Sequence, residues 1–300
     1  MTQKLVVATR KSQLALAQAR AFMRALEARH PGLVIEEKHV VTTGDRIQDR
    51  ALSEIGGKGL FIKEIEEALL DGSADIAIHS LKDVPAELAP SLAIGCVPMR
   101  EDPRDVIVTR TGQKLAELPA GAKLGTSSLR RKVQFAAARP DLEIVPLRGN
   151  VDTRLRKCSE GVVDAIVLAC AGLNRLGLGE RATEHIEPEL SLPAVGQGAL
   201  AIEMRAGDDA TRALLAPLAH AETSIAVAAE RGVMRAVEGS CQLPIAAFAV
   251  RAGQELWLRA LLAEPDGSKL RRNEGRVAYP KDEAEAERFG FELGKALRAS

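Results

Sequence analysis

The sequence predicts an α/β protein with two mixed, mainly parallel sheets, followed by a small α+β domain at the carboxyl end. Short apolar runs alternate with helical patterns through the first two thirds of the chain. This alternation is typical of parallel or mixed sheets that are covered by helices on both faces. The last third has helices, then strands, then one more helix, which indicates a separate domain. With 300 residues, of which 46% are apolar and 27% charged, the chain is long enough for two or three packed domains.

The predicted elements follow one another in three groups along the chain. The first group has strands at 5–8, 33–41 and 74–79, with helices at 12–29 and 61–70. Beyond Pro103 the alternation of strands and helices begins again, with strands at 106–109, 123–125, 142–147 and 164–169 and helices starting near 128, 150 and 171. In the last group, helices at 210–219 and 224–237 precede strands at 245–250 and 256–263 and a helix at 282–297.

Two local similarities indicate that the first two groups are related lobes. Segment 74–78 reads ADIAI, and segment 163–167 reads VDAIV. A Thr followed by Ser or Arg residues opens a helix both after Ala8 and after Gly125. We therefore expect the same strand–helix unit to occur twice.

Composition and missing motifs exclude several classes of protein. Basic and acidic residues number 41 each and aromatic residues make up 3%, which argues against a nucleic-acid-binding protein. The four cysteines show no C-x-x-C spacing, so we predict no metal site, no disulfide framework and a reducing, cytoplasmic environment. No signal peptide is visible, and no apolar stretch approaches the roughly 20 residues that span a bilayer. Phosphate-loop, dinucleotide-binding, zinc-hydrolase and serine-hydrolase motifs are also missing.

A basic cluster predicts a cleft that receives a polyanion. Between residues 130 and 157 there are eight basic residues against three acids: Arg130, Arg131, Lys132, Arg139, Arg148, Arg154, Arg156 and Lys157. Thr126, Ser127 and Ser128 precede one predicted helix, and segment 148–150 precedes the next. Helix N-termini, hydroxyls and arginine forks together bind anions. The alternative is an ordinary solvated helix face, but two such turns in one lobe favour the anion site.

Two further segments carry candidate catalytic groups. Segment 79–85 reads HSLKDVP, and it places Lys82 and Asp83 after a buried strand, where α/β folds carry their chemistry. Segment 238–244 reads EGSCQLP, and its Gly-Ser turn makes Cys241 a candidate reactive thiol. The alternatives are an exposed loop pair and a small buried apolar residue.

Taken together, these segments resemble the porphobilinogen deaminase (hydroxymethylbilane synthase) family. The matching motifs occur in the family's order between residues 5 and 263. They are ATR at 8–10, GGKG at 56–59, HSLKDVP at 79–85, REDPRD at 100–105, GTSSLRR at 125–131, LRGN at 147–150, LPAVGQG at 192–198 and the turn at Cys241. The family usually has Gly-Gly before the cysteine, whereas this chain has Gly239 and Ser240.

The resemblance implies two periplasmic-binding-protein-like lobes and a small C-terminal α+β domain. Lobe 1 is expected at 1–99 with 200–217, lobe 2 at 100–199, and the cysteine-bearing domain at 218–300. The implied enzyme condenses four porphobilinogen molecules head-to-tail on a tethered dipyrromethane primer and releases ammonia and hydroxymethylbilane. A monomer without nucleic-acid or membrane partners is implied as well.

The resemblance also assigns residues. It implies a thioether from Cys241 to the dipyrromethane cofactor, and Asp83 with Lys82 as the catalytic pair. The residues implied to contact the cofactor or the pyrrole carboxylates are Arg10, Ser12, Lys82, Thr126, Ser127, Ser128, Arg130, Arg131, Arg148, Gly149 and Arg154, with Arg175 and Gln197 as weaker additions. The polar segment 42–59 is expected to form a mobile lid.

Two other functions fit the same residues. A two-lobed binding protein could clamp a small polycarboxylate in an arginine-lined cleft, and it would need neither Cys241 nor Asp83. A nucleotide-dependent transferase could use the TSSLRR turn for phosphate, although the P-loop pattern is missing.

Overall fold

The computed structural model describes residues 4–46, 62–237 and 243–299. The chain divides into two compact units, Met1–Arg100 with Ala199–Ser224 and Glu101–Gly198 with Ile225–Ser300. No helix within the described residues is long and apolar enough to cross a membrane.

The strands and helices have the following bounds. The strands are β1 Lys4–Arg10, β2 Val34–Val40, β3 Ile76–Ser80, β4 Leu92–Cys96, β5 Asp105–Thr109, β6 Lys123–Gly125, β7 Glu143–Val145, β8 Ala165–Ala169, β9 Glu184–Ile186, β10 Leu200–Arg205, β11 Ile245–Ala252, β12 Glu255–Leu262 and β13 Arg271–Ala278. The helices are α1 Gln13–Arg29, α2 Thr43–Arg46, α3 Lys63–Leu70, α4 Leu129–Ala138, α5 Val151–Ser159, α6 Cys170–Arg175, α7 Asp209–Leu215, α8 Ala221–Ala236 and α9 Glu283–Ala299.

The first unit contains a five-stranded sheet in the order β2-β1-β3-β10-β4. Strand β1 is parallel to β2 and β3, and β10 runs antiparallel to β3 and β4, so four of the five strands point the same way. Phe22 and Leu26 of α1 pack on one face, in the core that contains Val7. Ile65 and Leu69 of α3 belong to a second cluster that contains Ala8. Because helices cover both faces, the central strands are mostly apolar.

The second unit contains a five-stranded sheet with the same arrangement, in the order β7-β6-β8-β5-β9. Strand β6 is parallel to β7 and β8, and β5 runs antiparallel to β8 and β9. Leu155 of α5 packs with Ile166 in one cluster, and Phe135 of α4 packs with Leu124 in another. The two sheets therefore agree with the predicted mixed, mainly parallel α/β architecture.

Two local arrangements of side-chain to main-chain hydrogen bonds occur in both units. The Asp75 carboxylate accepts the N–H of Val6 at 2.8 Å, and the Asp164 carboxylate accepts the N–H of Lys123 at 2.8 Å. Each aspartate precedes its strand and fixes the register of the neighbouring parallel strand. Ser12 and Ser128 cap α1 and α4 in the same way, as their hydroxyls accept main-chain N–H groups at 3.3 and 3.4 Å.

The second unit also carries an antiparallel sheet in the order β11-β12-β13, packed against helices α8 and α9. The helices approach closely, since a Cβ built on Gly290 would lie 1.9 Å from the carbonyl oxygen of Ala229. Only glycine fits there. This sheet with its helices is the α+β element predicted from the last third of the sequence.

Strands β4, β9, β10 and β13 were not predicted from the sequence. Strand β9 has three residues, too few for a pattern, and β13 is an edge strand that reads RRNEGRVA, in which most residues are polar. Strand β10 forms because it pairs with β3 and β4, which lie far from it in the sequence. Such pairings leave no local signal.

Candidate functional site

Four predicted site residues of the first unit lie at one edge of its sheet. Strands β1 and β3 are parallel neighbours, so their carboxyl ends meet at the same edge. Arg10 ends β1 and Ser12 caps the helix that follows. Lys82 and Asp83 lie in a 3₁₀ turn, Leu81–Asp83, directly after β3. The carboxyl edge of a parallel sheet is where α/β proteins place their binding and catalytic groups.

The turn that carries Asp83 is held by the apolar residues on either side of the Lys-Asp pair. Leu81 is 1% exposed and Val84 is 4% exposed. The Leu81 N–H donates to the carbonyl of Ala199 at 3.0 Å, and the Val84 N–H donates to the carbonyl of Leu81 at 3.0 Å. The backbone is therefore fixed at both ends, while Lys82 is half-buried and Asp83 is exposed.

A buried polar pair supports the strand just before this turn. His79 Nε2 lies 2.9 Å from a carboxylate oxygen of Glu203 in β10, and both side chains are almost fully buried. Burial, and then the charge of Glu203, raises the pKa of nearby Glu66. The sequence analysis did not identify this pair, since neither residue occurs in a recognisable acid–base spacing.

In the second unit, the turn after β6 presents three hydroxyl residues. The Thr126 N–H donates to the carbonyl of Val145 at 2.9 Å, and the Ser127 hydroxyl donates to the carbonyl of Leu147 at 3.0 Å. Ser128 caps α4. These bonds fix the hydroxyl groups at the carboxyl edge of the sheet, where the positive end of the α4 dipole adds to their attraction for an anion.

The turn after β7 requires glycine at position 149. Gly149 has a φ of 120°, and a Cβ there would lie 2.7 Å from the side chain of Thr153. Its carbonyl accepts a hydrogen bond from Arg154 Nε at 2.7 Å. The Gly149 turn therefore brings Arg148 close to Arg154 in the first turns of α5, a role that is local to the backbone.

Arg130 and Arg131 both bind the carboxylate of Asp105, which is fully buried at the start of β5. Arg130 donates to its two oxygens at 2.8 and 3.1 Å, and Arg131 donates to one oxygen at 2.8 and 3.2 Å. Arg130 also donates to the carbonyl of Leu192 at 2.6 Å, and Arg131 to that of Val167 at 3.0 Å. The ligand contacts implied for these two arginines remain predictions, because both guanidinium groups have partners within the protein.

Asp105 orients two of the predicted site arginines, and the sequence analysis did not identify it as their partner. Burial by itself would raise its pKa, but the charges and hydrogen bonds of Arg130 and Arg131 outweigh burial and hold the pKa well below its ordinary value. Asp105 ends the REDPRD segment and is the first residue of the fully buried strand β5. A charge in that position needs a buried partner, and this is the signal that could have identified it.

Arg148 and Arg154 lie beside the buried network of Asp105, and no acidic side chain among the described residues balances their positive charges. Burial, and then repulsion from Arg131 and Arg148, lowers the pKa of Arg154 to about 10. Arg148 Nη1 is buried and has no hydrogen-bond partner among the described residues. An acidic ligand would supply the missing acceptor and reverse the repulsion, so these arginines fit a group that carries several carboxylates.

Gln197 lies in the segment that precedes β10, and Arg175 contacts that segment. Gln197 Nε2 donates to the carbonyl of Pro103 at 2.7 Å and to Asp105 at 2.8 Å. Arg175 donates to the carbonyl of Gly198 at 2.6 Å. Both side chains hold the protein's own backbone, and their contact with a ligand remains a prediction. Cys241 and residues 47–59 of the expected lid lie outside the described residues.

Fold and site together define a class: an α/β protein with arginine and hydroxyl residues at the carboxyl edge of one sheet and an exposed carboxylate at the carboxyl edge of another. Residues 5–213 match the family model "Porphobilinogen deaminase, dipyromethane cofactor binding domain", and residues 224–299 match "Porphobilinogen deaminase, C-terminal domain". The chain belongs to the porphobilinogen deaminase family. It is an enzyme of tetrapyrrole biosynthesis that acts on porphobilinogen with a dipyrromethane cofactor.

Curated relatives match the whole chain. The porphobilinogen deaminase of Sorangium cellulosum (strain So ce56) is 65% identical over 298 residues, which cover 99% of each chain. That of Syntrophotalea carbinolica is 52% identical over 98% of this chain and 92% of the relative. A solved structure with some similarity is the probable amino-acid ABC transporter extracellular-binding protein ytmK of Bacillus subtilis, with 12% identity, a TM-score of 0.44 and coverage of 73% of this chain and 90% of that chain.

Proposed function

We propose that Asp83 is the catalytic carboxylate, that Cys241 carries the dipyrromethane through a thioether, and that the arginine site of the second unit binds the acidic side chains of the pyrroles. One observation carries the assignment of the arginine site. Burial, and then repulsion from Arg131 and Arg148, lowers the pKa of Arg154, and Arg148 keeps a buried donor without a partner among the described residues. A ligand with several carboxylates would offset the repulsion that Arg154 experiences and would accept a hydrogen bond from the buried donor of Arg148.

The chemistry of the substrate explains why arginine is used. Porphobilinogen carries an acetate and a propionate, so each added unit brings two further carboxylates to the enzyme. Planar guanidinium forks bind carboxylates in pairs of parallel hydrogen bonds, which fixes orientation as well as position. When bound, the dipyrromethane supplies the pyrrole carbon to which the first substrate unit is joined. The hydroxyls of Thr126 and Ser128 and the N–H groups of Gly149 and its neighbours provide further donors around the same carboxylates, and Ser127 holds this turn through its bond to the carbonyl of Leu147.

The exposed position of Asp83 suits it to act on the substrate. As porphobilinogen loses its amine, positive charge develops on the pyrrole nitrogen, and the carboxylate can accept a hydrogen bond from that N–H. At about 4 Å and an effective dielectric near 20, the attraction is on the order of 4 kcal/mol. Lys82 in the same turn offers an ammonium group to a pyrrole carboxylate.

Replacing Arg148 with Leu is expected to stall elongation or block loading of the primer, because the buried donor and its charge are lost together. Mass spectra of the enzyme after a limited dose of porphobilinogen should show short bound chains or none. Lys132→Leu is the matched control, since it removes an exposed charge from the same stretch of sequence. Normal elongation in Arg148→Leu would count against the arginine site. Arg130→Leu is also predicted to stall elongation or block loading of the primer. This substitution additionally removes the buried hydrogen bond between Arg130 and Asp105.

The intact mass of the purified protein tests the role of Cys241. We expect an excess of two linked pyrrole units in the wild type and no excess in Cys241→Ser, because serine cannot form the thioether. Cys158→Ala is the control, since Cys158 is buried in the core of the second unit. A polycarboxylate-binding protein would carry no adduct, so its absence even after incubation with porphobilinogen would favour that alternative function.

We also propose the division into 1–99 with 200–217, 100–199 and 218–300, and a monomer in the cytoplasm. The three separate sheets support the division, as do family-model matches that end at 213 and resume at 224. Three buried free cysteines are compatible with a reducing compartment. Sedimentation of the purified protein tests the monomer.

A further inference from the structure

Three strand ends in the second unit bring together an aspartate, a cysteine and a histidine. Strand β5 lies between β8 and β9 and runs antiparallel to both, so the start of β5 and the ends of its neighbours share one edge. Asp102 precedes β5, Cys170 follows β8, and His185 lies in β9. One ligand atom from each residue lies within 4.8 Å of the others. Among the described residues this is the one group of three such side chains gathered so closely.

Asp102 and Cys170 each accept hydrogen bonds from residues outside the group, and these bonds orient the two side chains. Arg104 donates to the two carboxylate oxygens of Asp102 at 2.7 and 3.1 Å. Asn174 Nδ2 lies 3.6 Å from the sulfur of Cys170 and is placed to donate to it. Metal ligands in proteins are commonly oriented in this way, by hydrogen bonds from outside the ligand set. The Cys170 thiol also hydrogen-bonds to the Asp102 carboxylate, and a cation bound between the two side chains would replace the thiol proton.

The surrounding charge favours a cation. Glu101 accepts a hydrogen bond from Asn174 at 3.2 Å, and Glu187 accepts one from Arg104 at 2.7 Å. The three carboxylates of Glu101, Asp102 and Glu187 lie near two guanidinium groups, those of Arg104 and Arg175. Three acidic groups against two basic ones leave this group with a net negative formal charge, which attracts a cation.

The ligand types indicate which cation fits. A thiolate and an imidazole are preferred by Zn²⁺ and similar thiophilic ions, whereas Mg²⁺ and Ca²⁺ prefer oxygen ligands. His185 is exposed and Cys170 is 2% exposed, so a cation can enter from the side of the histidine. The thiol would release its proton to solvent as the metal–sulfur bond forms.

We propose that Asp102, Cys170 and His185 bind a thiophilic divalent cation of the Zn²⁺ type, with solvent in the fourth position. This proposal differs from the prediction of the sequence analysis that the chain has no metal site. That prediction relied on short Cys and His spacings, whereas these ligands come from three separated segments. A bound cation would link the segment before β5 to β8 and β9, close to Asp105 and the arginine site.

Titration of the holoenzyme with Co²⁺ tests the proposal, because the cofactor leaves no free thiol on Cys241. We expect thiolate-to-cobalt charge-transfer absorption that saturates at one equivalent and is displaced by Zn²⁺. His185→Gln should weaken binding at least about tenfold, since even the loss of an outer-shell partner has that effect. His39→Gln in the first unit is the matched control and should leave the titration unchanged.

Cys170→Ala should abolish the absorption band, and Cys158→Ala should not. If Cys170→Ala does not fold, the exposed His185 still decides the question, because its replacement leaves the core intact. Absence of the band in the wild type, or an unchanged affinity in His185→Gln, overturns the proposal. Deaminase activity of His185→Gln should equal that of the wild type, so this test is independent of the proposed catalytic residues.

Discussion

Asp83→Ala is expected to reduce turnover about a thousandfold, because an attraction on the order of 4 kcal/mol to the developing pyrrole cation is lost. The interaction forms mainly as the amine leaves, so the kcat should fall while the KM changes little. The fold should remain, since Asp83 is exposed and the buried residues Leu81 and Val84 hold the turn.

Steady-state assays of ammonia release, together with circular dichroism, measure this effect. Glu87→Ala is a matched control, because Glu87 is an exposed acid just beyond the same turn. Asp83→Asn should be nearly as inactive as Asp83→Ala, since the amide keeps the shape but not the charge. Turnover within a few-fold of the wild type in Asp83→Ala would remove this carboxylate from the mechanism.

Asp105→Asn is expected to lower the free energy of unfolding of the second unit by about 3–5 kcal/mol. Its carboxylate is fully buried and accepts hydrogen bonds from Arg130, Arg131, Ser191 and Gln197. The substitution leaves two buried guanidinium groups without their counter-charge. Urea unfolding at neutral pH measures the loss, and Asp141→Asn, which removes an exposed partner of Arg139, should change little.

The pH dependence of this effect has a definite sign. The pKa of Asp105 is depressed in the folded protein, so its contribution is complete at neutral pH and is lost as pH falls below the unfolded value of about 3.9 toward the folded value. The difference between wild type and Asp105→Asn should therefore stay constant from neutral pH down to mildly acidic pH and narrow at lower pH. Equal stability of the two proteins at neutral pH would show that the buried arginines do not depend on this carboxylate.

Sequence alone determined the features that local interactions produce. The alternation of strands and helices, the caps at Ser12 and Ser128 and the turn at Gly149 each depend on residues that are close in the chain. The order of the motifs was enough to indicate the family, since each motif is a short, contiguous segment. The position of Asp83 after a buried strand was predictable for the same reason.

Only the tertiary structure decided the features that join distant segments. Strand β10 completes the first sheet by pairing with β3 and β4, and Arg130 and Arg131 on α4 meet Asp105 at the start of β5. The cluster of Asp102, Cys170 and His185 likewise exists because three strands pair side by side. Hydrogen bonds between strands and burial of a charge depend on which segments become neighbours in space. A linear pattern of residues records the tendency of each segment, but the neighbours are chosen by the packing of the whole sheet.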